Sequence, residues 1–301
     1  MNILITGAWS DAKKYITEIE QMGHNVYFMQ YEKDELPCPY EFVEGVICNG
    51  LFLHHDIKRF ANLKYVQLTS AGYDRVPVEY INEKGIEIHN AGGVYSIPMA
   101  EFAVSSVLQI YKQSRFFYER QANKSWDKHR GLSELHGKTV CVVGCGNVGT
   151  ECAKRFSAFG CEVIGVDLYP READEYSKIY PVSRLNDIVS KADVVVLTLP
   201  LTKQTEKCIN SEVLSQLRDG CVLVNIARGR IIDTQALIQE LSARDIFAVL
   251  DVFEDEPLPP ESPLWEMKNV YITPHNSFIG DGNGKRLLHR IMINLGDESL
   301  C

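Results

Sequence analysis

No stretch of this 301-residue chain holds 18 consecutive apolar residues, so nothing in it reads as a membrane-spanning helix. Basic blocks are missing as well: Lys and Arg number 31 against 40 Asp and Glu, a formal charge of -9. Nucleic-acid affinity rests on clustered cations, and that class of partner is excluded. The opening MNILITGAWSDAKK lacks the charged, apolar and cleavage regions of a secretory leader, and the expectation is a cytoplasmic protein. The nine cysteines (38, 48, 141, 145, 152, 161, 208, 221 and 301) are an odd number without a C-x-x-C pair. Most fall in apolar, strand-like runs and read as reduced core residues. Cys141 and Cys145 straddle a glycine turn without a second ligand pair, so no metal is expected. G-x-S-x-G, H-E-x-x-H and Walker patterns are also absent, which removes the usual hydrolase, zinc-protease and phosphoryl-transfer readings.

What is present is organised around Val140 to Asp167, VCVVGCGNVGTECAKRFSAFGCEVIGVD. It reads as strand, glycine turn, helix, strand. Val140 to Val143 is an apolar run without alternation, as in a parallel strand buried on both faces, and Gly144, Gly146 and Gly149 follow at G-x-G-x-x-G spacing. Gly144 allows the tight turn, Gly146 lets a pyrophosphate approach the backbone, and Gly149 lets helix pack on strand. Gly160 sits where a left-handed helix cap belongs. Asp167, 18 positions beyond Gly149, ends the second strand. There it can accept hydrogen bonds from an adenosine ribose and repel the 2'-phosphate of NADP, so NAD is the expected cofactor.

Before this core, Met1 to about Gly93 alternates short strands with helical patterns, near Asp11 to Met22, Asp56 to Phe60 and Val78 to Asn82, and forms an α/β domain of its own. SIPMAEFAVSSVLQIYKQSRFFYERQ then predicts one long helix with Pro98 in its first turn. Its apolar residues nearly encircle it, which suggests burial against its own domain and a second subunit, hence a homodimer. Trp126, in the less regular stretch that follows, reads as a packing anchor. After Asp167 the alternation of strand and helix continues to Thr273, with helices expected at Arg184 to Lys191, Ser211 to Leu217 and Thr234 to Ser242. That is the pattern of a doubly wound parallel sheet, in which ligands sit beyond the carboxyl ends of the strands.

Three of those strand ends carry chemistry. Arg228 follows CVLVNI, Asp251 and Glu256 follow IFAVL, and His275 follows VYIT. A guanidinium can pair with a substrate carboxylate and polarise the adjacent carbonyl, an imidazole can donate a proton, and a carboxylate can orient the imidazole and favour its charged form. Spacing alone leaves Glu254 and Asp255 as rivals of Glu256.

LHGKTVCVVGCGNVG, LPLTKQT, VNIARGRIID, LDVFEDEPLP and ITPHNS together resemble the D-isomer-specific 2-hydroxyacid dehydrogenase family over nearly the whole chain. The resemblance implies a two-domain α/β architecture of doubly wound parallel sheets. A Rossmann dinucleotide-binding domain would span 96–278, and a flavodoxin-like substrate domain 1–95 with 279–301. It assigns Arg228 to substrate binding, His275 to proton donation and Glu256, just before a proline, to its partner. Besides Gly144, Gly146, Gly149 and Asp167, it places Asn147, Val148, Leu199, Pro200, Thr205, Ala227, Arg228, Asp251 and His275 around NAD. TSAGYDRVP resembles the substrate loop, where the amides of Ser70, Ala71 and Gly72 would hold a carboxylate, with Asn49 to Phe52 over the same pocket. The implied activity is reduction of a small 2-oxo acid to a D-2-hydroxy acid. Glu256 argues against formate, whose dehydrogenases pair the His with Gln, while a phosphite-type dehydrogenase and an NAD(H)-sensing co-repressor are the alternatives. Family members often carry small residues and glycine after the His; here Asn276, Ser277 and Phe278 follow.

Overall fold

The structure, a computed structural model, describes residues 1–296; Cys301, expected to be a core thiol, lies outside the described residues. The chain divides into two units, residues 1–95 joined by the segment from Gly280 onward, and Ser96–Ile279.

The first unit is built from β1 (Asn2–Thr6), α1 (Ala12–Gln21), β2 (Asn25–Met29), β3 (Gly45–Cys48), β4 (Tyr65–Leu68), α2 (Val78–Glu83) and β5 (Glu87–His89). Its sheet is parallel, in the order β2-β1-β3-β4-β5. This is the flavodoxin-like order. Every residue of β3 and β4 is buried, so β3 is apolar without alternation, and the polar Gln67 of β4 is bonded inside, donating to the Leu68 carbonyl at 2.8 Å.

In the second unit, α3 (Ser96–Tyr111) and α4 (Ser114–Ala122) precede β6 (Thr139–Val143), α5 (Asn147–Ala158), β7 (Glu162–Asp167) and β8 (Lys178–Pro181). Then come α6 (Leu185–Val189), β9 (Val194–Leu197), α7 (Ser211–Gln216), β10 (Val222–Asn225), α8 (Thr234–Ala243), β11 (Phe247–Leu250) and β12 (Val270–Ile272). The seven strands are parallel, in the order β12-β11-β10-β9-β6-β7-β8. In β9, Val194 and Val196 enter the core on one face of the sheet while Val195 and Leu197 enter the core on the other. Each such side chain stabilises the fold by about 1.5–3 kcal/mol. The strand order reverses between β6 and β9, and the crevice beyond their carboxyl ends is where a doubly wound sheet takes its ligand. The chain returns to the first unit with α9 (Asn283–Asn294), whose Leu287 and Ile291 join Ile3, Ile5 and Ile19 in its core.

Three expectations need correction. The long helix after Pro98 is two helices: Gln113 takes φ 51, and its side chain donates to the Ile110 carbonyl at 3.3 Å, so the end of α3 is capped from within. Phe116 and Phe117, which prolong the apolar pattern, belong to α4. Trp126 anchors nothing in this chain, being 96% exposed; Ser125 and Asp127 hydrogen-bond to each other beneath it at 2.7 Å. The helix expected over Asp56 to Phe60 is a single 3-10 turn, Ile57–Arg59, capped by Asp56 on the Lys58 amide.

Candidate functional site

Gly144 leaves β6 with φ +98, and a Cβ there would lie 2.6 Å from the Leu199 nitrogen, so the turn packs directly on the segment after β9. Thr198 fastens it by donating from its hydroxyl to the Gly144 carbonyl at 2.6 Å. Gly149 is equally constrained, since a Cβ would meet the Gly144 oxygen at 2.1 Å. Gly146 differs: nothing lies within 4 Å of where its Cβ would be, and Gly146 and Asn147 are exposed, with Val148 half-buried behind them. An open cradle at the first turn of a helix, where amides lack intrahelical partners, fits the pyrophosphate of a dinucleotide. Asp167 accepts from the Cys145 amide at 2.6 Å and the Tyr169 amide at 2.9 Å, which ties the end of β7 to the glycine turn. Arg171 reaches the same turn, donating to the Cys145 carbonyl at 2.5 Å. Burial pushes the Cys145 thiol up to about 11, so it stays protonated and packs rather than reacts. After β9, the Thr205 hydroxyl donates to the Pro200 carbonyl at 2.6 Å and accepts from the Thr202 amide at 2.7 Å. Its work within the chain is to shape the loop that carries Leu199 and Pro200.

The second group of residues is assembled beyond β10, β11 and β12. Arg228 is half-buried, with Nη1 donating to the Ala227 carbonyl at 2.8 Å, and the Asn225 side-chain amide holds the Arg228 carbonyl at 3.1 Å. Gly229 then presses on the neighbouring loop: a Cβ would fall 1.8 Å from the Phe253 carbonyl carbon. Phe253 in turn donates its amide to Glu256 Oε1 at 3.1 Å, and Glu256 Oε2 lies 2.8 Å from His275 Nδ1. Backbone contact thus links the arginine turn, the glutamate loop and the histidine turn. With Nδ1 on the carboxylate, Nε2 is the ring nitrogen left to exchange a proton with a ligand.

Of the rival carboxylates, Glu254 is spent elsewhere. It accepts from the Thr234 amide at 3.0 Å and lies 3.6 Å from Lys207; burial opposes its charge, but these donors hold its carboxyl below the usual range.

His275 sits at φ +51, a left-handed conformation that costs a non-glycine residue of the order of 1 kcal/mol or more. Asp251, expected among the cofactor contacts, explains how that conformation is held. It is 0% exposed, and its carboxylate accepts from Thr273 Oγ1 at 2.6 Å, the Asn276 amide at 2.7 Å and the Ser277 amide at 2.9 Å. Its backbone carbonyl takes the His275 amide at 2.8 Å. An acid this enclosed anchors the turn that carries His275. Asn276 and Ser277 supply backbone amides to Asp251, as any non-proline residues there would, and the departure from family pattern shows at Phe278, whose ring stands at 90° to the His275 ring with centroids 5.9 Å apart. Nothing in the sequence pattern distinguishes this positioning role, except that an acid at the very end of a wholly apolar strand must find several donors.

The substrate-loop candidates belong to the first unit. Ala91 donates to the Ser70 carbonyl at 2.9 Å, the Asn90 side chain to the Ala71 carbonyl at 2.7 Å, and the Tyr95 hydroxyl to the Thr69 carbonyl. These bonds take the carbonyls of the loop. The amides of Ser70, Ala71 and Gly72 donate no hydrogen bond within the chain among the described residues, and Ala71 is exposed. Asn49 is half-buried, and its backbone amide is held by Glu32 at 2.7 Å.

Among the described residues no group of three or more His, Cys, Asp or Glu could hold a metal, and no helix is long and apolar enough to cross a membrane. A family model described as "D-isomer specific 2-hydroxyacid dehydrogenase, NAD binding domain" matches residues 104–277. The chain is 34% identical over 221 residues to a glyoxylate reductase of Thermofilum pendens, covering 71% of this chain and 65% of the relative. It is 36% identical over 235 residues to a D-3-phosphoglycerate dehydrogenase of Methanocaldococcus jannaschii, covering 76% of this chain and 44% of the relative. It therefore spans less than two thirds of either of these relatives. Among solved structures, a D-isomer specific 2-hydroxyacid dehydrogenase from Xanthobacter autotrophicus Py2, in complex with NADPH and MES, superposes with a TM-score of 0.80 at 26% identity, covering 99% of this chain and 95% of that one.

Proposed function

Because this chain belongs to the D-isomer specific 2-hydroxyacid dehydrogenase family, we propose that it reduces a small 2-oxo acid to the D-2-hydroxy acid, with NADH preferred over NADPH. The bound cofactor supplies the hydride, and the residues of the chain supply the rest. Arg228 pairs its planar guanidinium with the substrate carboxylate and draws electron density from the neighbouring carbonyl. His275 gives the carbonyl oxygen its proton from Nε2, while Glu256 holds the ring by Nδ1. Within the first unit, the amides of Ser70, Ala71 and Gly72 and the stretch Asn49 to Phe52 are the residues the family resemblance gives to the acid. In the reverse direction neutral His275 accepts the proton of the hydroxy acid.

The observation that carries this reading is the Glu256–His275 pair at 2.8 Å, which engages Nδ1 and leaves Nε2 as the ring nitrogen that can exchange a proton. NADH preference is supported by the position of the Asp167 carboxylate beside the glycine turn. A homodimer through α3 follows from its apolar composition; the groove of about 500 Å³ beside it is lined by Glu101, Ser105, Gln109 and Arg155 as well as by Val104, Leu108 and Phe159. The eight cysteines of the described residues are free, which fits a reducing compartment and a cytoplasmic location.

The test is NADH oxidation against glyoxylate, pyruvate, hydroxypyruvate, phosphohydroxypyruvate and branched 2-oxo acids, with chirality of the product determined. Turnover of one or more to the D-product is expected; NADH binding without turnover of any would instead indicate a sensor.

A further inference from the structure

Glu32 lies outside every motif discussed so far, in the loop after β2, yet its carboxylate gathers the carboxyl ends of two other strands. Oε1 accepts from the Asn49 amide at 2.7 Å and from the Thr6 hydroxyl at 2.8 Å, and Oε2 accepts from the Gly50 amide at 2.7 Å. Thr6 ends β1, and Asn49 and Gly50 directly follow β3. Three donors on one carboxylate are charge-assisted bonds of the stronger kind and fix the backbone direction at Asn49.

The glutamate is itself braced. His55 donates from Nε2 to the Glu32 carbonyl at 2.9 Å, and its Nδ1 lies 2.7 Å from the Tyr40 hydroxyl. Arg59 closes the set, donating to that hydroxyl at 3.0 Å with its guanidinium 3.7 Å from the centre of the Tyr40 ring. Within the loop so held, the Asn49 side-chain Oδ1 is buried with no hydrogen-bond partner among the described residues. Buried polar atoms are ordinarily satisfied, so a donor such as water belongs at this one; toward a 2-oxo acid, whose carboxylate and carbonyl only accept, the Asn49 side-chain NH2 is the group that can donate.

We propose that Glu32 is a positioning residue for substrate binding: its carboxylate locks the Asn49–Gly50 backbone and so presents the Asn49 side chain to the 2-oxo acid. The proposal rests on the reading that Asn49 to Phe52 cover the substrate pocket. Glu32→Gln preserves the shape but sets an NH2 group against a backbone N–H, while Glu32→Asp keeps the charge and lacks the reach to hold both strand ends.

The experiment is a double-mutant cycle with glyoxylate, or whichever acid of the panel is turned over, measuring KM and kcat together with NADH affinity by fluorescence and Tm. Glu32→Gln and Asn49→Ala should each raise KM for the acid about tenfold or more, with kcat and NADH affinity within about threefold of wild type. In the Asn49→Ala background, Glu32→Gln should add little, because its effect passes through Asn49. Glu32→Asp should fall between wild type and Glu32→Gln. If Asn49→Ala leaves KM unchanged, the pocket reading fails and the proposal with it. If Asn49→Ala raises KM but Glu32→Gln lowers only Tm, or the two effects on KM add fully, the pocket reading stands and the positioning role of Glu32 is overturned.

Discussion

Asp251→Asn offers the sharpest probe of how the histidine is held. In the wild type three donors meet one enclosed carboxylate, at 2.6, 2.7 and 2.9 Å. An asparagine keeps one accepting oxygen and turns an NH2 group toward at least one N–H or hydroxyl. Hydrogen bonds to a charged group contribute about 1.5–3 kcal/mol each, and a buried donor left unpaired costs about 1–3 kcal/mol. Loss of one bond with one orphaned donor therefore amounts to about 3–5 kcal/mol. Part of that falls on global stability. The rest falls on the Thr273–Ser277 turn, whose histidine already carries the strain of φ +51 and relaxes once its anchor weakens. If half the loss appears in the turn, kcat should fall by about 10- to 100-fold, each 1.4 kcal/mol being a factor of ten. Steady-state NADH oxidation, thermal melting and NADH fluorescence titration together separate the effects: lower Tm, much lower kcat, and NADH affinity close to wild type. An Asp251→Asn enzyme with undiminished kcat and Tm would refute the anchoring role, and a selective loss of NADH affinity would return Asp251 to the cofactor contacts.

Arg228→Lys should lose about 10- to 100-fold in kcat/KM for the acid, because an ammonium cannot make the two parallel bonds of a guanidinium; near-wild-type kinetics would move the carboxylate anchor elsewhere. Asp167→Ser should weaken NADH and improve NADPH as substrate; a wild type that already uses both equally would shift attention to Arg171, which donates to the glycine turn. Glu256→Gln sets an NH2 group against His275 Nδ1 and loosens the orientation of the ring, so reductive kcat should fall about tenfold or more while NADH affinity holds; an unchanged kcat would contradict the pairing.

The parallel strands were legible because burial on both faces leaves an unbroken apolar run, as in Val194–Leu197. The glycine turn was legible for a steric reason, and the structure gives each glycine the job its spacing implied: a positive φ at Gly144, an open cradle at Gly146, close packing at Gly149. Arg228, Glu256 and His275 could be located at strand ends, but choosing Glu256 over Glu254 took either family resemblance or the 2.8 Å contact, since three carboxylates within three positions share one spacing. Positioning residues escaped the pattern. Asp251 stands where a ligand contact would stand, and only its full burial reveals that it serves the backbone. Gln113 broke α3 because a single left-handed residue with a capping side chain ends a helix while the surrounding apolar periodicity runs on. Trp126 misled because an indole is usually buried, and the residues flanking it bond to each other instead.

The most direct test of the central claim is the turnover of His275→Ala beside the wild type on the best 2-oxo acid, with NADH affinity measured in parallel. Proton donation by His275 predicts a loss of about 10²-fold or more in kcat with NADH binding unchanged within about twofold. A variant that reduces the acid at the wild-type rate would contradict it.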